Sequence, residues 1–424
     1  MNKVLGLKCK ECGEAYEAGG SHVCDLCFGP LEVALDYDYI KSIISREKIE
    51  SGPISLWRYV DLLPVDSGWD ADVRVGFTPL QHAPRLGAAI GLKNLYVKND
   101  SVNPTYSFKD RPVAIAVTKA RELGYTVFAC ASTGNLASAV AAAGMKAGLE
   151  TYVFLPADVE AGKITNAAVY GANLIAVNGT YDQLNRLCSE IADEEDWAFC
   201  NINVRPYYAE GSKTLAYETV EQLGWLAPDH VVVPIASGAL YTKIAQGFRE
   251  MVDVGLISNQ SVRISGAQAE GCGPVAAAFA AGEQSFEPVR QPDTIAKSLA
   301  IGNPADGNYS LAVARQTNGV IESVTDAETV EGIKLLARTE GIFTEAAGGV
   351  TIATMKKLAE SGDIGEDELT DAYVTGNGLK TQEAVDGHVS VSVTIDPTMG
   401  SFEDAMDSRQ QADMVWSAPQ VTTG

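Results

Sequence analysis

The order of apolar β runs and amphipathic helical segments constrains the fold more than any other feature of this chain. Near-continuous apolar runs alternate with helical patterns over roughly three hundred residues, which is typical of α/β proteins with parallel sheets covered on both faces. The 424 residues are enough to bury two sizeable cores. Helical patterns include residues 135–148 and 329–341, and the seven predicted strands cover residues 95–98, 126–131, 151–156, 174–178, 231–235, 262–268 and 371–376.

Chemistry is expected at the strand-to-helix turns, because ligands of open α/β sheets bind beyond the carboxyl ends of the strands. The stretch NPTYSFKDRP at residues 103–112 contains such a turn and carries Lys109. Near a helix N-terminus a lysine ammonium is disfavoured, and the neutral amine is suited to attack on a carbonyl. A solvated surface lysine is the alternative interpretation of this turn taken alone.

Three further turns combine small and polar residues. The first offers backbone amides that can converge on a carboxylate, with an ordinary N-cap as the alternative. The second is a small-residue cradle for a phosphate, and the third presents a hydroxyl after the last strand. No P-loop or G-x-G-x-x-G pattern supports nucleotide binding. The residues concerned are Ser132, Thr133, Gly134 and Asn135 in the first turn, Ser237, Gly238 and Ala239 in the second, and Thr375 in the third.

Taken together and in this order, the turns resemble those of a known enzyme family. The chain has SFKDR at 107–111, ASTGN at 131–135 and TGNGLK at 375–380, with GFTPL at 76–80 and EGSKTLAYE at 210–218 as further matching segments. These motifs resemble the pyridoxal-phosphate enzymes of the tryptophan synthase β-subunit-like fold (fold type II), and within them the threonine synthase family. The resemblance implies two parallel-sheet α/β domains with pyridoxal 5'-phosphate in the cleft between them.

The resemblance also implies a role for each matching residue. Lys109 corresponds to the lysine that binds the cofactor covalently and moves protons on the substrate. Asn135 corresponds to the asparagine beside the cofactor's 3-hydroxyl, and Thr375 to the hydroxyl that faces the pyridine nitrogen. Ser132, Thr133 and Gly134 correspond to the loop that receives the substrate carboxylate, and Ser237, Gly238 and Ala239 to the phosphate loop of the cofactor.

Three departures from the family pattern limit this transfer of roles. Tyr106 stands where a glycine is frequent, and residues 237–240 replace a phosphate loop that is commonly rich in glycine and asparagine. Tyr208 stands where an arginine is common, which concerns recognition of a substrate phosphate. The predicted ligands of the substrate phosphate are therefore Arg205 and Lys213, with a solvated loop arginine as the alternative for Arg205.

The reaction that the resemblance implies is the conversion of O-phosphohomoserine and water to threonine and phosphate, carried out by a carbon–oxygen lyase. A serine or threonine dehydratase, or a cysteate or cysteine synthase, would use Lys109 in the same way. A zinc-dependent adaptor or nucleic-acid-binding module is the alternative outside enzymes, and the acidic composition argues against it.

Four of the eight cysteines form a metal-like pattern near the N-terminus. Cys9, Cys12, Cys24 and Cys27 make two C-x2-C pairs, which predicts a structural zinc ribbon; a metal-free ribbon, or His22 as a competing ligand, is the alternative. The predicted organisation is a zinc-ribbon-like module at 1–36, a catalytic core at 37–395 and a tail without regular structure at 396–424. A helical connector is predicted at 35–52, across the first of these boundaries.

The chain is strongly acidic, with 55 acidic against 32 basic residues and a net charge of −23. Such a charge repels nucleic acid, and it fits either a solvated acidic surface or adaptation to high salt. No apolar run of about 18 residues and no signal-peptide pattern occurs, which predicts a cytoplasmic protein without membrane contact. The sequence leaves a homo-oligomer open.

Overall fold

The computed structural model describes residues 3–66, 74–157, 161–179, 181–258 and 261–411. The strands β1 to β13 span Val4–Cys9, Ala15–Tyr16, Leu31–Leu35, Leu80–His82, Asn94–Asn99, Val127–Ala131, Glu150–Pro156, Asn173–Val177, Trp197–Phe199, His230–Pro234, Arg263–Ala269, Ile321–Val324 and Leu369–Val374. The helices α1 to α15 span Tyr37–Ile43, Arg46–Glu50, Pro84–Ile90, Asp110–Glu122, Asn135–Lys146, Ala161–Ala168, Tyr181–Glu194, Arg205–Glu210, Thr214–Gln222, Ala239–Asp253, Pro274–Ala280, Gly307–Gln316, Asp326–Glu340, Ala346–Ser361 and Met399–Gln411.

Two sheets form the body of the described protein. The larger has the strand order β12-β11-β10-β13-β5-β4, and the smaller has the order β8-β7-β6-β9. All neighbours in both sheets are parallel except the antiparallel edge strand β4. The α/β class and all seven predicted strands are confirmed, with ends that shift by one or two residues.

The strands that the sequence did not predict are short. Beyond the N-terminal module they are β4, β9 and β12, which have three, three and four residues. Segments of this length show too little period to separate them from loops. Each of the three lies at a sheet edge. Strand β12 extends the larger sheet and β9 the smaller one, and the apolar runs already predict the central strands of both.

The sheet order places several turns at one edge. Strands β10, β13 and β5 are parallel neighbours, so Ser237, Thr375 and Asp100 follow them on the same side of the sheet. Buried apolar residues from α14, including Val350 and Leu358, pack with the strands in one core cluster. A second and larger cluster includes buried residues of α10 and the N-terminal module.

The N-terminal module is a three-stranded antiparallel sheet in the order β2-β1-β3, and it ends at Leu35. Asp36 then caps α1, which with α2 forms the expected helical connector. The division of the chain at 36 and at 395 stays a prediction. The tail differs from expectation because α15 spans Met399–Gln411, and residues 412–424 lie outside the described part. In the described residues no helix combines the length and apolarity needed to span a bilayer.

Candidate active site

Lys109 lies in a turn that is fixed to the end of β13. It directly precedes α4, and the Asp110 carboxylate accepts hydrogen bonds from the Thr105 N–H at 2.8 Å and the Thr105 hydroxyl at 2.9 Å. The Phe108 N–H donates to the Thr375 carbonyl at 2.9 Å, and Ser107 forms an isolated β-bridge with Gly376. The first and last predicted motifs are thus held side by side by backbone hydrogen bonds.

The Lys109 side chain is partly buried, and its Nζ donates a hydrogen bond to the Tyr208 hydroxyl at 3.0 Å. Burial lowers the pKa of Lys109 to about 8, against a weaker raising influence of Cys200 and Glu345. Because the pKa lies near 8, about a tenth of the amine is neutral at pH 7, far more than for an ordinary lysine. The sequence predicted a neutral amine from the helix N-terminus, whereas removal from water is the cause here.

Asn135 contacts a buried carboxylate that the sequence analysis did not identify. Its amide donates to both oxygens of Glu345, at 2.9 and 3.2 Å. Glu345 is 3% exposed, it precedes α14, and its N–H donates to the Gly376 carbonyl at 3.0 Å. Burial raises the pKa of Glu345, which Asn135 partly opposes. The sequence signal was an acidic residue directly before an Ala- and Gly-rich helix.

The turn before α10 has the form of a phosphate cradle. Gly238 has a φ of +91°, and an added Cβ would lie 2.7 Å from the Asp306 carbonyl oxygen, so this position requires glycine. The Ser237 carbonyl accepts the Asp306 N–H at 2.8 Å. Among the residues that the structure describes, no side chain caps this fifteen-residue helix, so its N-terminal amides and dipole are directed at the turn.

The loop before α5 has the form expected of a carboxylate site. Ser132, Thr133 and Gly134 are partly or fully exposed, and no side chain in the described part of the chain caps the twelve-residue helix that follows. The Gly134 N–H donates to the Ser132 hydroxyl at 3.3 Å. These amides can bind an anion, and Asn135, at the first helical position, turns its side chain to Glu345.

The two predicted ligands of a substrate phosphate have different environments. Arg205 is 27% exposed in its side chain, and its Nη2 pairs with Asp306 at 2.8 Å. Lys213 is fully buried, with its Nζ 2.5 Å from Glu210 and 2.9 Å from Glu250. Lys213 directly precedes α9, and its ion pairs join the end of α8 to α10. Both partners are buried carboxylates, which argues against contact with a substrate phosphate, and the role of Lys213 stays a prediction.

Helix α8 connects Lys109 to the turn before α10. The Tyr208 hydroxyl contacts Lys109. Arg205, one helical turn earlier, pairs with Asp306. The Asp306 N–H in turn donates to the Ser237 carbonyl. Lys109, the cradle before α10, Thr375 and Asn135 therefore belong to one connected set of contacts.

A buried ion cluster supports the site from behind. Arg111 is fully buried and forms ion pairs with Asp100 at 2.7 Å and with Glu218 at 2.5 Å. Glu218 also pairs with Lys98 at 2.7 Å and accepts the Thr78 N–H at 3.2 Å. The GFTPL, SFKDR and EGSKTLAYE segments meet in this cluster, so part of their resemblance to the family reflects packing rather than catalysis.

The four cysteines of the N-terminal module lie together. Cys9 and Cys27 have their sulfurs 3.5 Å apart, Cys12 and Cys24 have theirs 3.6 Å apart, and all four sulfurs lie within 4.8 Å of one another. Tetrahedral zinc with bonds of about 2.3 Å requires sulfurs about 3.8 Å apart, so the arrangement fits a zinc ion. Among the described residues, His22 is not part of this group.

Comparisons with known proteins agree with this geometry. The family described as "Pyridoxal-phosphate dependent enzyme" matches residues 72–376. The threonine synthase of Methanocaldococcus jannaschii is 40% identical over 380 residues, which cover 89% of this chain and 93% of that protein. The threonine synthase of Methanosarcina acetivorans is 38% identical over 402 residues, with coverages of 94% and 98%. The solved structure of maize serine racemase superposes with a TM-score of 0.61 at 21% identity, covering 79% of this chain and 93% of that one, which shows the type II fold.

Proposed function

Because the chain belongs to the pyridoxal-phosphate-dependent enzymes, we propose that it is a threonine synthase, which converts O-phosphohomoserine and water to threonine and phosphate. One observation carries this choice within the family. Two proteins named threonine synthase match at 40% and 38% identity over nearly the full length of both partners. The dehydratase-like and racemase-like neighbours share the fold at much lower identity.

The residues of the site fit the cofactor. A partly buried amine with a pKa of about 8 can attack an aldehyde, and the Gly238 turn at the start of α10 fits a phosphate dianion. Lys109, Asn135, Thr375 and the turn of Ser237, Gly238 and Ala239 would hold the cofactor. When bound, pyridoxal phosphate supplies an electron sink for the carbon atoms of the substrate.

The residues of the chain then have distinct tasks in the reaction. The amides of the loop at 132–134 orient the substrate carboxylate at the N-terminus of α5. Lys109 Nζ, which the substrate amine displaces, takes the proton from the α-carbon and moves protons on the carbon chain. Phosphate leaves the γ-carbon, and water adds at the β-carbon. The Thr375 hydroxyl would be a neutral partner for the pyridine nitrogen of the bound cofactor.

Arg205 is our candidate for the phosphate group of the substrate. Among the described residues, Asp306 occupies only Nη2 of its guanidinium, which leaves other N–H donors for phosphate oxygens. Arg205 lies one helical turn before Tyr208, whose hydroxyl contacts Lys109. The substrate phosphate would be bound between these two side chains.

We also propose that the N-terminal module binds one structural zinc ion through Cys9, Cys12, Cys24 and Cys27. Four sulfur ligands leave no open position for catalysis. Free thiols throughout the described chain agree with the proposal of a cytoplasmic enzyme.

The decisive experiment measures phosphate release from O-phosphohomoserine, with threonine as the second product. Serine, threonine and phosphoserine are tested in parallel. We expect turnover of O-phosphohomoserine to exceed the others by orders of magnitude. Turnover of serine or phosphoserine without turnover of O-phosphohomoserine would replace this proposal with a dehydratase or a cysteate synthase. A protein that takes up no cofactor would favour an adaptor.

A further inference from the structure

Tyr208 is the residue whose side chain hydrogen-bonds directly to the amine of Lys109. Its hydroxyl lies 3.0 Å from Lys109 Nζ, and Tyr208 is 9% exposed. The Nζ lies 5.6 Å from the centre of the Tyr208 ring, so the amine is nearest the hydroxyl and not the ring face. The contact joins two residues 99 positions apart in the chain.

The packing of α8 against α4 fixes this contact. At Gly211, directly after α8, an added Cβ would lie 2.5 Å from the Arg111 carbonyl and 2.6 Å from Pro112 Cα. The two backbones therefore touch within about one helical turn of Tyr208 and Lys109, which limits how far the two side chains can move apart. Arg205 holds the start of the same helix through its ion pair with Asp306.

A phenolic hydroxyl suits an amine that changes its protonation state. It accepts a hydrogen bond from an ammonium and donates one to the lone pair of a neutral amine, while the phenol keeps its own proton in both states. A cationic side chain at this position would repel the ammonium and offer no acceptor.

We propose that Tyr208 is a positioning residue for the proton transfers of Lys109, holding the free amine at one place in both of its protonation states. The proposal rests on the proposed function, in which substrate displaces Lys109 and the amine must then collect and return protons. The Tyr208 hydroxyl would keep the amine aligned during these transfers.

The test compares Tyr208→Phe with Tyr207→Phe. The second variant is a matched control, because Tyr207 lies on the same buried helix and its hydroxyl donates to the Gly19 carbonyl at 3.1 Å, away from Lys109. Phenylalanine keeps the ring, so the packing of both positions is retained. In Tyr208→Phe we expect kcat for phosphate release to fall about tenfold to a hundredfold, with KM changed less than about threefold.

Two further measurements separate alignment from a general structural effect. The first is exchange of the α-proton of 2-aminobutyrate with deuterium, which needs Lys109 but no phosphate departure. The second is the pKa of Lys109 in the cofactor-free chain, obtained by competitive acetylation and mass spectrometry of the Lys109 peptide. Exchange should slow about tenfold or more in Tyr208→Phe only. The pKa should fall, because the lost acceptor stabilises the ammonium more strongly than the lost donor stabilises the amine.

The role of Tyr208 would be overturned if the two variants had equal kcat, equal exchange rates and equal Lys109 pKa values. A rise of the Lys109 pKa in Tyr208→Phe would also overturn it. Failure of the wild-type chain to release phosphate while it still exchanges the α-proton would instead remove the threonine synthase assignment. In that case the exchange rates and the pKa would still decide the role of Tyr208.

Discussion

The reactivity of Lys109 follows from where its side chain is held. Partial burial takes the ammonium out of water, and the hydroxyl of Tyr208 gives the amine a neutral partner instead of a carboxylate. Cys200 and Glu345 raise the pKa of Lys109 less than burial lowers it, so the pKa falls. The backbone of the same turn is held beside the end of β13, where the Phe108 N–H donates to the Thr375 carbonyl.

The rate at which Lys109 captures the cofactor should therefore rise with pH through about 8. Only the neutral amine attacks an aldehyde, and a pKa of about 8 makes most of the amine neutral above that pH. The measurement mixes cofactor-free protein with pyridoxal phosphate at several pH values, followed by borohydride fixation and mapping of the Lys109 peptide. Lys109→Ala is the control without label. A rate that still rises at about pH 10 would show an ordinary lysine pKa.

Arg205→Ala should lower kcat/KM for O-phosphohomoserine about tenfold to a hundredfold, because a charge-assisted contact to phosphate contributes about 1.5–3 kcal/mol. Exchange of the α-proton of 2-aminobutyrate, which has no phosphate, should stay within about twofold. Lys10→Ala is the matched control, since Lys10 Nζ lies 3.7 Å from the other oxygen of Asp306. Equal losses in both reactions would make Arg205 a structural partner of Asp306.

At the scale of elements, the N-termini of α5 and α10 are the proposed anion sites, while buried ion pairs between carboxylates and cations fix the helices. Helix α10 begins at the Gly238 turn, and its interior carries the Glu250 that pairs with Lys213. The N-terminal module packs against the same region, since Lys10 lies over the Tyr309 ring at 3.7 Å and near Asp306. Asp306 thus links the module, Arg205 and the cradle.

Gly238→Ala should weaken binding of pyridoxal phosphate about tenfold or more. The φ of +91° and the 2.7 Å approach to the Asp306 carbonyl would force the turn to change shape. Gly282→Ala is the matched control, because Gly282 also has a positive φ of +73° but has no atom within 4 Å of the added Cβ. Titration of cofactor-free protein gives both dissociation constants. Equal affinities in the two variants would show that the turn is not the cofactor cradle.

The N-terminal module should contain about one zinc ion per chain, and Cys12→Ser should reduce this to near zero with a lower melting temperature. Elemental analysis and thermal unfolding measure the two effects. Cys188→Ser, which changes a buried cysteine outside the cluster, should keep the zinc. Much of the activity should remain in Cys12→Ser, and complete loss in a folded core would argue against a purely structural metal.

At the scale of the whole molecule, a net charge of −23 means that the acidic side chains repel one another, and salt can screen this repulsion. The interior compensates its own charges, as the cluster of Arg111, Asp100, Glu218 and Lys98 shows. The excess of acidic residues therefore acts mainly at the surface.

Stability and activity should rise as salt increases from dilute to molar, because the Debye length falls from about 10 Å at 0.1 M to about 3 Å at 1 M. Melting temperatures in potassium chloride test this, and equal concentrations of sucrose control for effects unrelated to charge. A flat profile would indicate an acidic surface without adaptation to salt.

The sequence by itself determined the α/β class, the seven long strands, the turn that carries Lys109 and the cysteine spacing. These features depend on residues that are neighbours along the chain, where periodicity and turn chemistry act directly. It could not separate Arg205 from Lys213 as phosphate ligands, because both are cations flanking one turn. The packing of α10 against the turn between α8 and α9 buried Lys213 between Glu210 and Glu250 and left Arg205 partly exposed.

Only the tertiary structure decided which distant side chains meet in the site. Asn135 and Glu345 are 210 residues apart, and Tyr208 and Lys109 are 99 apart. Such contacts depend on how the two sheets and helix α8 pack, which no local pattern encodes. The pKa of Lys109 is likewise a property of the folded interior, since burial exists only after distant elements have excluded water from the amine.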